Sequence, residues 1–390
     1  MHLMAMGKRA EGTFKTPSPS NRDPGSRIQQ RVSSLPTIWP FLRAMRTAAD
    51  LLESGRREDK GMGNLTLASR QLKGEPEPMT PAFARLRDVI SSVVFGHEEA
   101  IDLALCALVA GGHVLIEDVP GVGKTTLAKA IARLLGLTLS RVQCTADLLP
   151  ADILGYVMYN QQLGVFETHK GPIFSEMVLV DELNRASPRA QSAFLEAMEE
   201  GFVTLDGERH PLPRPFWVIA TQNPREFEGT QPLPESEMDR FLMCIALGYP
   251  SAEEEVRMLA AGGGQAQLDG LKPLAAPSDV LNWQREADEI HVDPAILRYA
   301  VNLAQALRNH PQVPMGPSPR ALLALLRAAK ARAYTRGRPY VIPDDLRQLV
   351  PHVWRHRLHR ARDPWVEAPP DGLLEEVLYQ MPTPKLGDAR

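Results

Sequence analysis

From Met79 onward the chain is written in two apolar rhythms. PAFARLRDVISSVV carries apolar residues at the spacing of an amphipathic helix, and GHEEAIDLALCALVAG predicts a second helix stopped by glycine. HVLIED is a short apolar strand, followed by a glycine-rich loop and then TLAKAIARLLG, a helix. MVLVDE and FWVIATQNP are two more apolar runs of strand length, without the alternation of a half-exposed strand, and so are predicted to be buried on both faces. Between the helix TLAKAIARLLG and MVLVDE, YVMYNQQLGVFETHKGPIF alternates on both sides of QQLG and predicts a hairpin. SPRAQSAFLEAMEEG predicts a helix with Ser187 as its N-cap and Gly201 beyond its end. Strands alternating with helices imply a parallel α/β sheet. After Tyr249-Pro250 the strand signals stop, and helical patterns, punctuated by Gly262–Gly264 and PLAAPSD, continue to the end as a separate all-helical domain.

The first 78 residues read differently. SPSNRDPGS, GMG and GEPEP are turn-forming, and one helical pattern places Phe41, Met45, Ala49 and Leu52 on one face. This segment holds 13 Lys+Arg and 8 Asp+Glu, a charge of +5, while the other 312 residues hold 31 and 39, a charge of −8. It reads as a disordered or loosely helical extension; a start assigned upstream of a true Met79 and a small partner-binding helix are the alternatives. The sequence thus divides at 1–78, 79–248 and 249–390.

With 44% apolar and 23% charged residues the composition is that of a globular protein, and a net charge of −3 argues against binding nucleic acid or membrane by charge alone. No apolar run is long enough to span a membrane, and the first residues lack the apolar stretch of a secretory signal. Cys106, Cys144 and Cys244 fit neither a disulfide framework nor a zinc site. Cys106 and Cys144 read as small core residues, and a cytoplasmic setting is the expectation. His113 and His210 have no companions at ligand spacing and read as structural or solvated. RHRLHRAR (355–362) is a basic cluster without interleaved aromatic residues, and reads as a solvated helix face rather than a phosphate-binding patch.

The candidate chemistry begins at Glu117–Thr126, EDVPGVGKTT. Asp118, Val119, Pro120, Gly121, Val122, Gly123, Lys124, Thr125 and Thr126 form a phosphate loop between a strand and a helix. Glycines let backbone N–H groups approach a triphosphate, and the helix aims its positive end at it. Lys124 would reach the β- and γ-phosphates of ATP, and the Thr125 hydroxyl would ligate Mg2+. Asp118 stands where the usual motif has glycine. The strand ending in Asp181-Glu182 lies downstream: Asp181 suits a hard cation such as Mg2+, and Glu182 suits a general base for the attacking water. Taken alone, two carboxylates can also cap a buried strand. Asn223 could orient that water or form a turn before Pro224. Arg240, in EMDRFL, and Arg320, at a helix start in GPSPRA, could each neutralise charge in phosphoryl transfer or form surface salt bridges. Arg185 could contact nucleotide or partner, or form a structural ion pair.

From Phe83 to Arg362, 280 of the 390 residues, the chain resembles the MoxR-type ATPases of the AAA+ superfamily. The likeness is carried by VVFGHEEAI, HVLIEDVPGVGKTTLAKA, TADLLPADILG, FETHKGPIF, LVDELNRASPRAQSAFLEAMEE, ATQNPREFEGTQPLPESEMDRFLM and GPSPRALLALLRAAKA. Asp118 is a common variant in that family. The resemblance implies a P-loop three-layer α/β sandwich with a parallel sheet, followed by an all-α lid domain. It implies that Asn223 is a sensor of the γ-phosphate, that Arg240 is an arginine finger reaching a neighbouring subunit's ATP, and that Arg320 is the lid's sensor of nucleotide state. Val94–His97 would lie near adenine, although the family usually has Gln at the position of His97. The hairpin at 155–170 resembles an insert that faces the ring's pore or partner. The implied protein is an ATP-hydrolysing, chaperone-like remodeller, its implied partners being other copies in a hexameric ring and a protein client such as a von Willebrand factor A domain. A nucleotide-gated scaffold with little turnover is the rival reading, and a nucleic-acid motor a more distant one.

Overall fold

The computed structural model describes residues 79–223, 230–231, 233–313, 315–358 and 372–384. Residues 1–78, with their helical pattern, and residues 359–362 of the basic cluster lie outside the described residues. Helices α1 (Pro81–Ser91) and α2 (Glu98–Val109) lead into β1 (Val114–Glu117), α3 (Lys124–Leu134), β2 (Leu139–Gln143) and the short α4 (Pro150–Leu154). Then come a hairpin of β3 (Gly155–Asn160) and β4 (Val165–Lys170), β5 (Met177–Asp181), α5 (Pro188–Glu200), a second hairpin of β6 (Phe202–Leu205) and β7 (Glu208–Pro211), β8 (Trp217–Gln222), the one-turn α6 (Glu235–Met238) and β9 (Met243–Ile245). From there the named elements are helical: α7 (Ala252–Ala260), α8 (Gln265–Asp269), α9 (Pro277–Asp288), α10 (Pro294–Arg308), α11 (Pro319–Thr335), α12 (Pro343–Trp354) and α13 (Leu373–Gln380).

Five strands form one parallel sheet in the order β2-β5-β8-β1-β9. Side chains alternate cleanly between its faces. Val114, Ile116, Leu179, Ile219 and Met243 join the apolar cluster with α2 and α3, while Leu115, Val178, Val180, Val218 and Ala220 join the one with α5. That is the expected three-layer sandwich. The three strands legible in the sequence, β1, β5 and β8, are its centre, where both faces are covered and every position except the last of β1 and of β8 is buried. The edge strands were not legible. β2 (LSRVQ) is half exposed and β9 has three residues, so neither carries a long apolar run. The β6–β7 hairpin was also missed, although its turn is Asp206-Gly207, with positive φ at both residues, a local signal for such a connection.

The helical region is fastened to the α/β layers rather than hung from them. The apolar cluster beneath α2 and α3 continues into α9 to α13 without a break. Asp102 of α2 pairs with Arg336 at the end of α11 (3.1 Å) and with Arg87 of α1 (4.0 Å). Burial pushes the Asp102 carboxyl up, and these arginines work against that. Asp345 of α12 takes both terminal nitrogens of Arg338, at 2.9 and 2.6 Å. Arg355 is exposed, as expected of a solvated face, but His356 and Arg357 correct that expectation. His356 Nε2 lies 3.1 Å from the carbonyl of Phe241, and Arg357, 4% exposed, donates to the carbonyls of Asp239 and Phe241. They fold back onto the entrance of β9 because those carbonyls need donors.

His113, read as structural or solvated, is structural. Its Nδ1 accepts the Val218 N–H (3.0 Å), which leaves Nε2–H to donate to the Met198 carbonyl (3.2 Å). Burial pushes its pKa from the ordinary 6.5 down to about 4. Between those values the unfolded imidazole takes up a proton that the folded one rejects. Stability is therefore complete above pH 6.5 and falls as pH drops toward 4, by up to about 3 kcal/mol from this group. Urea unfolding at stepped pH should show that decline, and His113→Gln should flatten it; an unchanged pH slope in the variant would remove His113 as a cause.

Candidate active site

The loop after β1 is built around Gly121 and Gly123, whose φ values of +90° and +100° are left-handed. A Cβ placed on Gly121 meets nothing within 4 Å, and one on Gly123 meets only Val94 Cγ1 at 4.0 Å. The backbone thus presents an open cradle, with the first turn of α3 beginning at Lys124 beside it. Lys124 Nζ donates to the Asp118 carbonyl (2.7 Å). Burial pulls the ammonium's pKa down, and the charges of Asp118, Asp181 and Glu182 work against that shift.

Asp118 is a tether. Its Oδ1 accepts the Val119 N–H (2.8 Å), and its Oδ2 accepts the N–H groups of Leu247 (2.7 Å) and Gly248 (2.6 Å). The carboxylate replacing the usual glycine therefore ties the loop to the chain leaving β9. His97 precedes the first turn of α2 nearby, without a side-chain capping bond, and contacts the Leu247 carbonyl through Nδ1 (3.1 Å). Burial lowers its pKa.

At the C-terminal edge of the sheet, where ligands of parallel α/β folds bind, β5 delivers Asp181 and Glu182. Asp181 is buried; its Oδ2 takes Arg141 Nε at 2.6 Å and its Oδ1 takes Thr221 Oγ1 at 3.4 Å. Glu182 sits at φ +57°, a conformation costing roughly 1 kcal/mol or more for a residue with a Cβ. Its N–H is held by Thr221 Oγ1 (3.0 Å), and its carboxylate by Gln143 (2.9 Å) and Arg185 (3.1 Å). These residues share a cleft of about 510 Å³ with Pro120, Gly121, Gly123, Lys124, Thr125, Thr126 and Asn223. Arg141, Gln143 and Thr221 were not singled out from the sequence. Arg141 and Gln143 stand two apart on β2 and so share a face, a signal hidden because β2 itself was not recognised.

Arg240 and Arg320 are together, but elsewhere. Arg240 Nη1 donates to the Leu195 carbonyl (2.6 Å) and pairs with Glu199 Oε2 (2.9 Å); Arg320 Nη2 pairs with Glu199 Oε1 (2.8 Å). Glu199 is near the C-terminal end of α5, which starts beside the cleft and runs about 18 Å away from it. Neither arginine lines the cleft. Ser318 caps α11 through the Ala321 N–H (3.1 Å), which fixes Arg320 in its first turn.

Any cation at Asp181 and Thr125 would take most of its ligands from phosphate and water, because no cluster of three His, Cys, Asp or Glu is arranged for a metal among the described residues. The open glycine cradle, the half-buried ammonium and these hard oxygen donors fit a magnesium-bound triphosphate. The tether at Asp118 gives a separate expectation. Asp118→Ala should lower stability by about 1–3 kcal/mol in thermal or urea unfolding, since it strands three N–H groups; Asp118→Asn, which keeps acceptor oxygen, should lose less. Equal stability of Asp118→Ala and the unaltered chain would dismiss the tether.

Two family models match this architecture: the ATPase family associated with various cellular activities (AAA) over residues 113–243, and an AAA lid domain over residues 305–377. The chain is 46% identical to the uncharacterized protein YeaC of Bacillus subtilis, over 79% of this chain and 97% of YeaC. It is 39% identical to chaperone MoxR1 of Mycobacterium tuberculosis (76% of this chain, 81% of MoxR1) and 32% identical to protein MoxR of Paracoccus denitrificans (77% and 97%). A crystal structure of a candidate ATPase from Cytophaga hutchinsonii superposes with a TM-score of 0.71 at 34% identity, covering 78% of this chain and 95% of that one. With a parallel five-stranded sheet, a phosphate loop and a helical lid, the chain belongs to the MoxR-type ATPases of the AAA+ superfamily.

Proposed function

We propose that this chain binds ATP with magnesium in the cleft at Gly121–Thr126, hydrolyses it, and couples turnover to remodelling of a protein partner. The observation that carries this reading is the convergence of Lys124, Asp181, Glu182 and Asn223 on one cleft beside the glycine cradle. Lys124 would bind the β- and γ-phosphates. Thr125 and Asp181 would hold magnesium, which when bound supplies charge against the phosphates. Glu182 would accept the proton of the attacking water, and Asn223 would orient that water.

The pairing of Arg240 and Arg320 on Glu199, away from their own cleft, supports action on a neighbouring subunit's nucleotide. A ring, proposed as a hexamer, would bring the two together. Residues 79–248 would carry the cleft, and residues 249–390 would contribute Arg320 and move with each turnover. The β3–β4 hairpin supports a partner-facing role: an isolated two-stranded ribbon is marginal in water, and this one exposes Tyr156, Met158, Tyr159, Leu163, Val165 and Phe166. The name of the MoxR1 relative, a chaperone, agrees with remodelling. A von Willebrand factor A domain client and a cytoplasmic setting belong to the same proposal. Among the described residues no helix is long and apolar enough to cross a membrane.

Glu182→Gln should retain ATP binding while hydrolysis falls by at least about 100-fold; unchanged turnover would remove Glu182 as the base. Mixing Arg240→Ala with Glu182→Gln subunits should recover part of the activity at hybrid interfaces. Absence of recovery, with mixed assemblies confirmed by mass, would contradict action in trans.

A further inference from the structure

Asp181 is buried at the end of a fully covered strand, and a buried carboxylate needs a compensating charge at all times. The proposed magnesium can meet that need only while nucleotide is bound. In the structure the need is met by Arg141, whose Nε stands 2.6 Å from Asp181 Oδ2. With Thr221 on Oδ1, both oxygens of Asp181 are engaged. A cation approaching this carboxylate therefore meets Arg141 first.

We propose that Arg141 is a resident stand-in for magnesium at Asp181, and that it transfers to the nucleotide's terminal phosphate when the metal takes the carboxylate. This rests on the reading of the cleft as an ATP site. Four features support it. Arg141 lies on β2, the edge strand, and its side chain is 52% exposed, so it has room to swing. It lines the same cleft as Gly121, Gly123 and Lys124, so the phosphate position is within that cleft. Its second contact, Nη2 to Gln143 Oε1 at 3.2 Å, is longer than the one to Asp181 and goes to an uncharged acceptor, so it holds the guanidinium less than a second carboxylate would. The charges also match: the cleft holds Lys124, Arg141 and Arg185 against Asp181 and Glu182, an excess of one positive charge that a magnesium-bound triphosphate, itself negative, would draw on. A planar guanidinium suits both posts, because carboxylate and phosphate oxygens accept its donors in the same geometry.

The full-length chain, a fluorescent ATP analogue, and Mg2+ titrated against EDTA provide the test. Arg141→Gln should weaken ATP binding at saturating Mg2+ by about tenfold, the loss of one charge-assisted hydrogen bond to phosphate, and should weaken metal-free binding too, because Asp181 is then left uncompensated beside the phosphates. In the same variant the Mg2+ concentration that half-saturates the metal-dependent step should fall, because the competitor at Asp181 is gone. In an Asp181→Asn background that second shift should vanish, which a merely structural Arg141 would not produce. Arg141→Lys, which keeps the charge, should retain most of the metal-free affinity, and serves as the decisive variant if melting shows that Arg141→Gln does not fold. Metal-free affinity and Mg2+ dependence both unchanged in Arg141→Gln would overturn the role of Arg141 alone. A parent chain that binds no ATP at any Mg2+ concentration would instead overturn the reading of the cleft.

Discussion

Holding two adjacent carboxylates, Asp181 and Glu182, at the end of a fully buried strand is the constraint around which the site is arranged. Negative charge removed from water is costly unless it is paired and hydrogen-bonded. The sheet answers with residues from both flanking strands: Arg141 and Gln143 from β2, and Thr221 from β8. The glycine loop answers from the next strand with Lys124, whose half-buried ammonium is stabilised by the same two carboxylates and Asp118. Strand order is what makes this possible. β5 lies between β2 and β8, with β1 on the far side of β8, so charge of each sign arrives from adjacent strands at one edge.

A second division of labour follows from α5. The helix leaves the cleft, and at its far end Glu199 gathers Arg240 and Arg320. One comes from just before β9 and the other from the first turn of α11, so a single carboxylate joins the α/β layers to the lid. Asp118 makes a comparable junction on the cleft side, between the phosphate loop and the segment that enters the helical region. Together with the Asp102–Arg336 pair, these contacts give the lid fixed points on the α/β layers, through which movement of one would be felt by the other.

How much of this could be read from the sequence depended on burial. The central strands were legible because both of their faces are covered and they are written as apolar runs. The edge strands β2 and β9 were not, because an edge strand needs no such run. That omission hid Arg141 and Gln143, which become meaningful only once β2 is known to lie beside β5. Glu182 and Lys124 were legible because a phosphate loop followed by an acidic strand end is a local pattern. The meeting of Arg240 and Arg320 on Glu199 was not legible, since three segments far apart in the chain create it. The reading of His356 and Arg357 as solvated failed for a related reason: their partners are backbone carbonyls around β9, which carry no mark in the sequence.

Under the proposed function, a cleft that holds the carboxylates and the lysine but not the two arginines would be half of a hydrolytic site. The direct measurement is specific ATPase activity as a function of protein concentration, with the assembly state followed in parallel by analytical ultracentrifugation. Activity per chain is expected to rise with concentration and to track the fraction of assembled subunits. Activity per chain that stays constant down to concentrations where the protein sediments as a monomer would contradict a site completed by a second copy.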